Sequence, residues 1–178
     1  MCTPTSANNK TMKAISLLLS FFTLLGCSHI SPYEREADAD RLATQNGWYQ
    51  ITLETAPFEL ISYLPKNITK NEVLTVYIEG DGFAWRTSRK PSTNPTPHNP
   101  VALKLALKHH SGAAAYLARP CQYHEDVNST PLCTQSYWTN KRYAEEVITA
   151  SEQALTQLKE IYGANELILV GYSGGAAV

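Results

Sequence analysis

One short stretch near the carboxyl end of the chain limits the folds open to it. The apolar run Leu167–Val170 predicts a strand buried on both faces of a sheet, and it leads directly into Gly171–Gly175, which reads Gly-Tyr-Ser-Gly-Gly. A serine on a tight strand-to-helix turn needs very small residues two positions before and two positions after it. The motif supplies glycine at both. The sequence therefore predicts Ser173 exposed at the carboxyl end of a strand in an α/β fold.

Glycine-rich turns also bind nucleotides, and the sequence argues against that use here. A dinucleotide-binding loop needs glycine where Ser173 stands, and a P-loop needs a Lys-Ser/Thr ending that does not follow this motif. An ordinary glycine-rich turn is the remaining alternative. Because a strand precedes the motif and small residues follow it, we interpret Ser173 as a nucleophile. The amide of Gly174 would then donate to the oxyanion that forms on attack.

The rest of the chain alternates strands with helices. We predict strands over residues 48–53, 58–64, 74–78, 113–118 and 167–170, the first two as an antiparallel hairpin, and helices over 101–110 and from about 141 to 162. Asn99 is expected to cap the first helix, Thr139 or Asn140 the second, and Gly163 to end the second. This alternation indicates an α/β fold with a mostly parallel sheet and helices on both faces.

A second motif follows the predicted strand 74–78 directly. It reads Glu79-Gly80-Asp81-Gly82, and its glycines let the backbone approach a bound molecule closely. A tight acidic turn is the alternative. Beside a serine nucleophile, a loop at this position supplies the second oxyanion-binding amide, so we expect Asp81 or Gly82 to donate.

Two polar residues, Arg119 and Tyr123, come just after the predicted strand 113–118. Substrate contacts collect beyond the carboxyl ends of strands in open α/β sheets. For Arg119 a structural salt bridge is the competing interpretation, and we favour it.

Three stretches of the chain resemble the α/β-hydrolase family, and within it a group of bacterial lipoprotein hydrolases: Val76–Trp85, Tyr116–Tyr123 and Gly171–Gly175. The resemblance spans roughly residues 48–178 and implies the amino-terminal half of an α/β-hydrolase fold. It implies a serine hydrolase that forms an acyl-enzyme on Ser173, with a carboxylic ester as the commonest substrate and no metal or organic cofactor. The chain departs from the usual His-Gly before the oxyanion loop, having Glu79-Gly80 instead.

The resemblance also implies residues that follow the nucleophile. The family's acid and histidine come after the serine, whereas five residues follow Ser173 here, so we expect an Asp or Glu and then a His beyond Val178. Residues 27–178 alone are expected to be poorly stable and inactive. Upstream histidines are weak substitutes, because His109 and His110 are expected to face solvent and His98 lies in a proline-rich loop. A noncatalytic envelope lipoprotein that uses the scaffold as a binding module is the alternative.

The amino-terminal end predicts export and lipid attachment. Lys10 and Lys13 precede a short apolar stretch, residues 14–25, and Cys27 follows in the order Leu-Leu-Gly-Cys. This order resembles the lipobox of bacterial lipoproteins, whose cysteine is acylated. An ordinary signal peptide with a chance cysteine is the alternative. Several acyl chains on Cys27 would hold the protein stably on a bacterial membrane.

These features divide the chain into a signal peptide over 1–26, a lipidated tether with a short helix over 27–46, and the hydrolase domain over 47–178. Met12 is an alternative start. The resemblance to bacterial lipoproteins implies that Ser28, directly after the lipidated cysteine, permits sorting to the outer membrane, so we expect a periplasm-facing protein of the bacterial envelope.

The remaining cysteines and the charge refine this expectation. Of the four cysteines, Cys2 precedes the alternative start at Met12 and Cys27 is assigned to lipid, which leaves the pair Cys121 and Cys133. In a chain expected in an oxidising compartment an even pair predicts a disulfide; two buried thiols are the alternative. The formal net charge of −1, with no basic run, excludes electrostatic capture of nucleic acid. The expected partners are therefore a small ester or acyl substrate and a membrane.

Overall fold

The computed structural model describes residues 30–124 and 132–178, so the predicted signal peptide and Cys27 lie outside the described residues. The helices are α1 (Pro32–Gln45), α2 (Val101–Ala106) and α3 (Glu145–Tyr162). The strands are β1 (Trp48–Glu54), β2 (Glu59–Pro65), β3 (Val73–Ile78), β4 (Ala113–Leu117) and β5 (Glu166–Gly171). Two short 3-10 helices complete the described elements, Gln135–Trp138 and Ser173–Ala177.

The strands form one open mixed sheet in the order β1-β2-β4-β3-β5. β3 runs parallel to both β4 and β5, whereas β1 pairs antiparallel with β2 and β2 pairs antiparallel with β4. The predicted α/β class and the predicted hairpin are confirmed. The expected mostly parallel sheet is not, because two of the four pairings are antiparallel. A short turn after β1 permits only an antiparallel return, while the connection through α2 lets β4 lie parallel to β3.

Apolar side chains cover the sheet on both faces. One cluster joins the sheet to α3, with Leu74, Val76 and Ile78 of β3 facing helix residues such as Val147 and Leu158. A second cluster on the opposite face joins it to α1 and α2; its members include Ala39, Ala43, Leu103, Ala114 and Tyr116. Alternate residues of one strand therefore enter different cores, as the period of two along a strand requires. The predicted placement of helices on both faces is confirmed.

The starts of α2 and α3 differ from the sequence prediction and α2 ends earlier than predicted, whereas the end of α3 agrees with it. α2 follows Pro100 rather than an Asn99 cap, and neither predicted cap of α3 is used, since that helix begins after Ala144. Thr139 instead donates a hydrogen bond to the carbonyl oxygen of Gln135, which ties it to the preceding 3-10 helix. At the other end of α3, the left-handed glycine cap at residue 163 is confirmed.

The predicted disulfide is present between Cys121 and Cys133, whose Cα atoms are 5.5 Å apart. It links the chain just beyond β4 to the start of the segment that leads into α3. Within the two described ranges, none of the helices combines the length and apolar character that crossing a membrane requires.

Candidate active site

Ser173 lies immediately beyond β5 with a backbone φ of +50°. Residues other than glycine rarely adopt this left-handed conformation, because the Cβ atom crowds the neighbouring carbonyl groups. Such strain persists only where the surrounding structure enforces it, and it is concentrated at functional sites. The side chain of Ser173 is exposed. The predicted strained turn with an accessible serine is therefore present.

The glycines on either side of the serine are required by packing. A Cβ atom on Gly171 would lie 2.5 Å from the amide nitrogen of Ala176, and one on Gly175 would lie 2.5 Å from the carbonyl oxygen of Ile78. Both obstacles are backbone atoms, which cannot rotate away as a side chain can. The reason for a tiny residue two positions before and after Ser173 is thus visible in the fold.

The chain that leaves β3 lies directly against this turn. We call residues Glu79–Phe83 the β3 exit loop. Tyr172 donates its backbone N–H to the carbonyl oxygen of Ile78 at 3.0 Å. A Cβ atom on Gly80 would come within 3.2 Å of the Cβ atom of Ser173. The two motifs that the sequence marks out, more than 80 residues apart in the chain, therefore meet at one edge of the sheet.

Three backbone N–H groups around Ser173 have no hydrogen-bond acceptor within residues 30–124 and 132–178: those of Asp81, Gly82 and Gly174. Nearby amides do have acceptors inside the fold, namely those of Gly80, Phe83 and Gly175. Gly174 is buried, Asp81 is half-buried and Gly82 is exposed. Because buried backbone donors are normally paired, the unpaired amide of Gly174 is the most informative of the three, and all three are available to a group bound beside the serine. These three include the amides predicted from the sequence as oxyanion donors, namely Gly174 and either Asp81 or Gly82.

A cavity of about 300 Å³ opens beside the serine. Its lining includes Ser173, Asp81, Gly82, Phe83 and His98. The rings of Phe83 and His98 meet edge to face at 4.5 Å between centroids. Sequence reasoning gave little weight to His98, because a proline-rich loop carries no signal of where it folds back. The backbone N–H of Phe83 donates a hydrogen bond to the carbonyl oxygen of Pro95 at 2.9 Å, and this bond holds the proline-rich loop against the β3 exit loop.

Arg119 ties the β3 exit loop to the turn that carries the serine. It is 4% exposed, and its guanidinium donates to the carbonyl oxygen of Gly174 at 2.8 Å and to Asp81 at 3.5 Å. It also donates to the carbonyl oxygen of Arg142, whose own Nε lies 3.3 Å from the Asp81 carboxylate. Burial lowers the pKa of Arg119, and the Asp81 charge opposes that change. The expected salt-bridge role of Arg119 is confirmed.

The segment Arg119–Tyr123, called here the β4 exit segment, also holds the other side of the loop. Gln122 donates from its side chain to the carbonyl oxygen of Gly80 at 2.8 Å and accepts from the backbone of Arg119 at 3.1 Å. Cys121 and Tyr123 adopt left-handed φ values of +67° and +61°. A buried glutamine in this role was missed, because a single glutamine in a turn has no distinguishing pattern.

Glu79 is the first residue of the β3 exit loop. Its buried carboxylate accepts from the backbone of Gly80 at 3.0 Å, from the backbone of Ala102 at 3.5 Å and from the hydroxyl of Tyr116 at 3.4 Å. Burial raises the pKa of Glu79, and these donors act in the opposite direction. Glu79 therefore joins β3 to the first turn of α2, whose own Pro100 cap has no side-chain acceptor.

Other predicted residues lie elsewhere. His110 is exposed as expected, whereas His109, also expected to face solvent, is half-buried with its Nδ1 3.1 Å from the hydroxyl of Tyr77. The acid and histidine expected beyond Val178 lie outside the described residues, as does Cys27. In the part of the chain that the structure describes, no three His, Cys, Asp or Glu side chains are grouped closely enough to hold a metal ion.

No protein-family model, curated protein or solved structure matches this chain.

Proposed function

We propose that the protein is a serine hydrolase of the α/β-hydrolase type that cleaves carboxylic esters through an acyl-enzyme on Ser173. The observation that carries the proposal is the left-handed backbone of Ser173, packed between two glycines that admit no side chain. A strained serine with an exposed hydroxyl, beyond a sheet strand, is the arrangement that serves nucleophilic attack. An ordinary glycine-rich turn has no need to place a serine in this conformation.

The position of the β3 exit loop adds to the argument. β3, β4 and β5 run parallel, so their carboxyl ends share one edge of the sheet, where α/β proteins bind their ligands. β3 and β5 are neighbours, which brings the loop after β3 beside the serine after β5. An α/β-hydrolase builds its oxyanion hole from the residue after the nucleophile and from a loop of this kind.

The reaction follows from these groups. The Oγ atom of Ser173 bonds to the ester carbonyl carbon as a base takes its proton, and the carbonyl oxygen becomes an oxyanion. The amides of Gly174 and of Asp81 or Gly82 stabilise that charge. The carbonyl re-forms as the alcohol leaves with a proton, and water then releases the acid and restores the serine. We propose that an Asp or Glu and a His that follow the nucleophile supply the base.

Labelling with a fluorophosphonate probe tests the proposal in protein expressed from its complete gene. The probe is expected to modify Ser173, and Ser173→Ala should abolish both the labelling and the hydrolysis of p-nitrophenyl esters. Ser111→Ala is a matched control, because Ser111 is also exposed but precedes β4 at the opposite end of the sheet. Labelling that survives Ser173→Ala would show that another residue is the nucleophile.

One observation favours a noncatalytic binding module as the second candidate. The Asp81 carboxylate lies so close to Gly174 that a Cβ atom there would be 2.8 Å from Asp81 Oδ2. A negative charge beside the oxyanion position opposes the charge that develops in ester hydrolysis, although Arg119 and Arg142 offset it. A correctly folded, full-length protein that resists the probe would favour the binding module.

We also propose that acylated Cys27 anchors the protein to the bacterial envelope. The support is the ordered basic, apolar and Leu-Leu-Gly-Cys pattern of the first 27 residues. Metabolic incorporation of a fatty-acid analogue is expected in the wild type and absent in Cys27→Ala. An unlabelled, soluble product whose amino terminus is not Cys27 would reject the anchor without touching the assignment of Ser173.

A further inference from the structure

A second cavity, of about 240 Å³, lies next to the Ser173 cavity and shares His98 with it. We call it the basic cavity, because its lining carries three cations, Arg35, Arg41 and Lys104. Asp38 is the one carboxylate in that lining, and it pairs with Arg41 at 2.7 Å. Lys104 contacts the neutral side chain of Asn99 at 2.5 Å. The cavity therefore holds two positive charges more than its own carboxylate balances.

Arg35 is a buried cation of the basic cavity, which makes the excess of positive charge there unusual. It is 4% exposed, and its guanidinium donates to the carbonyl oxygens of Ser31, Asn94 and Thr96. Across the described ranges, no carboxylate lies within ion-pair distance of it. Buried arginines are rarely left without an anion, because carbonyl dipoles replace water only in part. Burial accordingly lowers the pKa of Arg35. An anion in the adjoining cavity would supply the missing counter-charge.

His98 lines both cavities, so its side chain forms part of the boundary between them. The Arg35 guanidinium lies over the ring of Phe83 at 5.3 Å, and Phe83 contacts His98 at 4.5 Å. Phe83 and His98 both line the Ser173 cavity. A molecule whose carbonyl group lies at Ser173 would reach the cations by extending past His98.

We propose that the substrate is an anionic ester, with its negative group bound in the basic cavity while its carbonyl carbon lies at Ser173. The inference depends on the proposed esterase function and specifies its substrate class. The cations would contribute to binding through charge-assisted hydrogen bonds and long-range attraction. Arginine's planar donor fork suits a carboxylate, which is therefore the probe for the test.

The test compares matched charged and neutral esters in full-length protein. In the first pair, mono-p-nitrophenyl adipate carries a carboxylate on its acyl chain and p-nitrophenyl hexanoate is its neutral counterpart. In the second pair, 4-acetoxybenzoate carries the carboxylate on its leaving group and 4-acetoxybenzamide is the neutral counterpart. In at least one pair, kcat/KM is expected to favour the charged ester by about tenfold or more at low salt, with the preference shrinking as salt screens the charges.

Charge variants at the cavity sharpen the test. Arg41→Gln and Lys104→Gln should each lower the charged-to-neutral ratio about tenfold, while Asp38→Asn should raise it, a gain that misfolding cannot imitate. Lys108→Gln is the matched control, because it removes the same charge from an exposed lysine one turn along, outside the cavity. The Ser173→Ala protein should also bind adipate in calorimetry, and Arg41→Gln should weaken that binding.

Two results would overturn the inference. One is Ser173-dependent hydrolysis with no charge preference in either ester pair, which leaves the esterase function intact. The other is a preference that none of the Asp38, Arg41 and Lys104 variants alters. Failure of the function itself looks different, because the full-length protein would then neither take up the fluorophosphonate nor hydrolyse any of the four esters.

Discussion

The neighbouring strands β3 and β5 both end at the Ser173 cavity, yet they are supported very differently. β3 lies inside the sheet, with Leu74, Val76 and Ile78 buried in the core beneath α3. β5 forms the edge of the described sheet, and its Ile168 and Leu169 are 53% and 48% exposed. The proposed oxyanion loop therefore follows the buried strand, and the proposed nucleophile follows the exposed one.

The difference shows how the serine is positioned. The side chains of β5, the strand before Ser173, are exposed or half-buried, so contacts with the chain leaving β3 and with Arg119 fix the conformation of the serine turn. Gly175 packs on the carbonyl oxygen of Ile78, and the backbone N–H of Tyr172 donates a hydrogen bond to the same oxygen. Arg119 donates a hydrogen bond to the carbonyl oxygen of Gly174. The turn is held from the β3 and β4 side alone within the described residues. Changes to those contacts should matter far more than changes to the apolar residues of β5.

The largest effect is expected for Gly175→Ala. The added methyl group would overlap backbone oxygens of the chain leaving β3, so either the turn or the loop must move. We expect a loss of about 3 kcal/mol in unfolding free energy from overpacking. A displacement of about 1 Å at the serine should lower the fluorophosphonate labelling rate about 100-fold. Denaturant unfolding and labelling kinetics measure the two effects.

Gly112→Ala is the control for that substitution. Its backbone is also left-handed, at φ +89°, but no atom lies closer than 3.8 Å to the added group. It should therefore cost about 1 kcal/mol of backbone strain and leave labelling unchanged. Equal loss of labelling in both variants would show that general destabilisation, rather than contact with β3, controls the serine.

The Cys121–Cys133 disulfide should have the next largest effect. It closes a separation of 12 residues, which on loop entropy stabilises the fold by about 3 kcal/mol. Because Cys121 lies in the β4 exit segment, between Arg119 and Gln122, reduction should also slow labelling. Unfolding of oxidised and reduced protein, with mass-spectrometric thiol counting, measures the difference. Two alkylatable thiols in oxidised periplasmic protein would contradict the pairing.

Arg119→Lys should have a smaller effect, confined mainly to the site. Lysine keeps the charge but not the planar fork that reaches Gly174 and Asp81 together. We expect labelling to slow about tenfold, equivalent to about 1.4 kcal/mol, with little change in the probe concentration that half-saturates the rate. Arg86→Lys, in an exposed loop, is the control. If the effects of Asp81→Asn and Arg119→Lys on the labelling rate are additive, the two residues do not act together.

The fold was predictable where a local pattern decides the structure. The apolar runs locate β3 and β5, and Gly163 ends α3 in the left-handed conformation expected of it. The prediction that Leu167–Val170 is buried on both faces is wrong within the described residues, because β5 lies at the edge of the sheet with Ile168 and Leu169 exposed. The parallel character of the sheet was overestimated, because the pairing of β2 with β4 depends on a distant strand. Helix α2 was predicted too long, since Leu107 and Lys108 form a turn rather than a further helical turn.

The candidate site divides in the same way. Ser173 and the β3 exit loop were predictable, because strained turns require glycines that leave a motif in the sequence. The roles of Gln122 and His98 were not, since each depends on a loop that folds back through long-range backbone bonds. The salt bridge of Arg119 was expected. Its hydrogen bond to the carbonyl oxygen of Gly174, 55 residues away, was not, because it depends on tertiary contacts that leave no local sequence pattern.

The smallest effect is expected on the edge strand, in a matched pair of substitutions. Val76 of β3 and Leu169 of β5 are register partners, but Val76 is 0% exposed and Leu169 is 48% exposed. Val76→Ala should cost about 2 kcal/mol through lost burial and the cavity it leaves. Leu169→Ala removes more carbon atoms yet should cost about 0.5 kcal/mol, because half of that side chain already faces water. Denaturant unfolding of both variants provides the comparison. If Leu169→Ala proved the costlier change, β5 would have to be covered in the full-length protein, and its cover would be a third support for the serine alongside the β3 exit loop and Arg119.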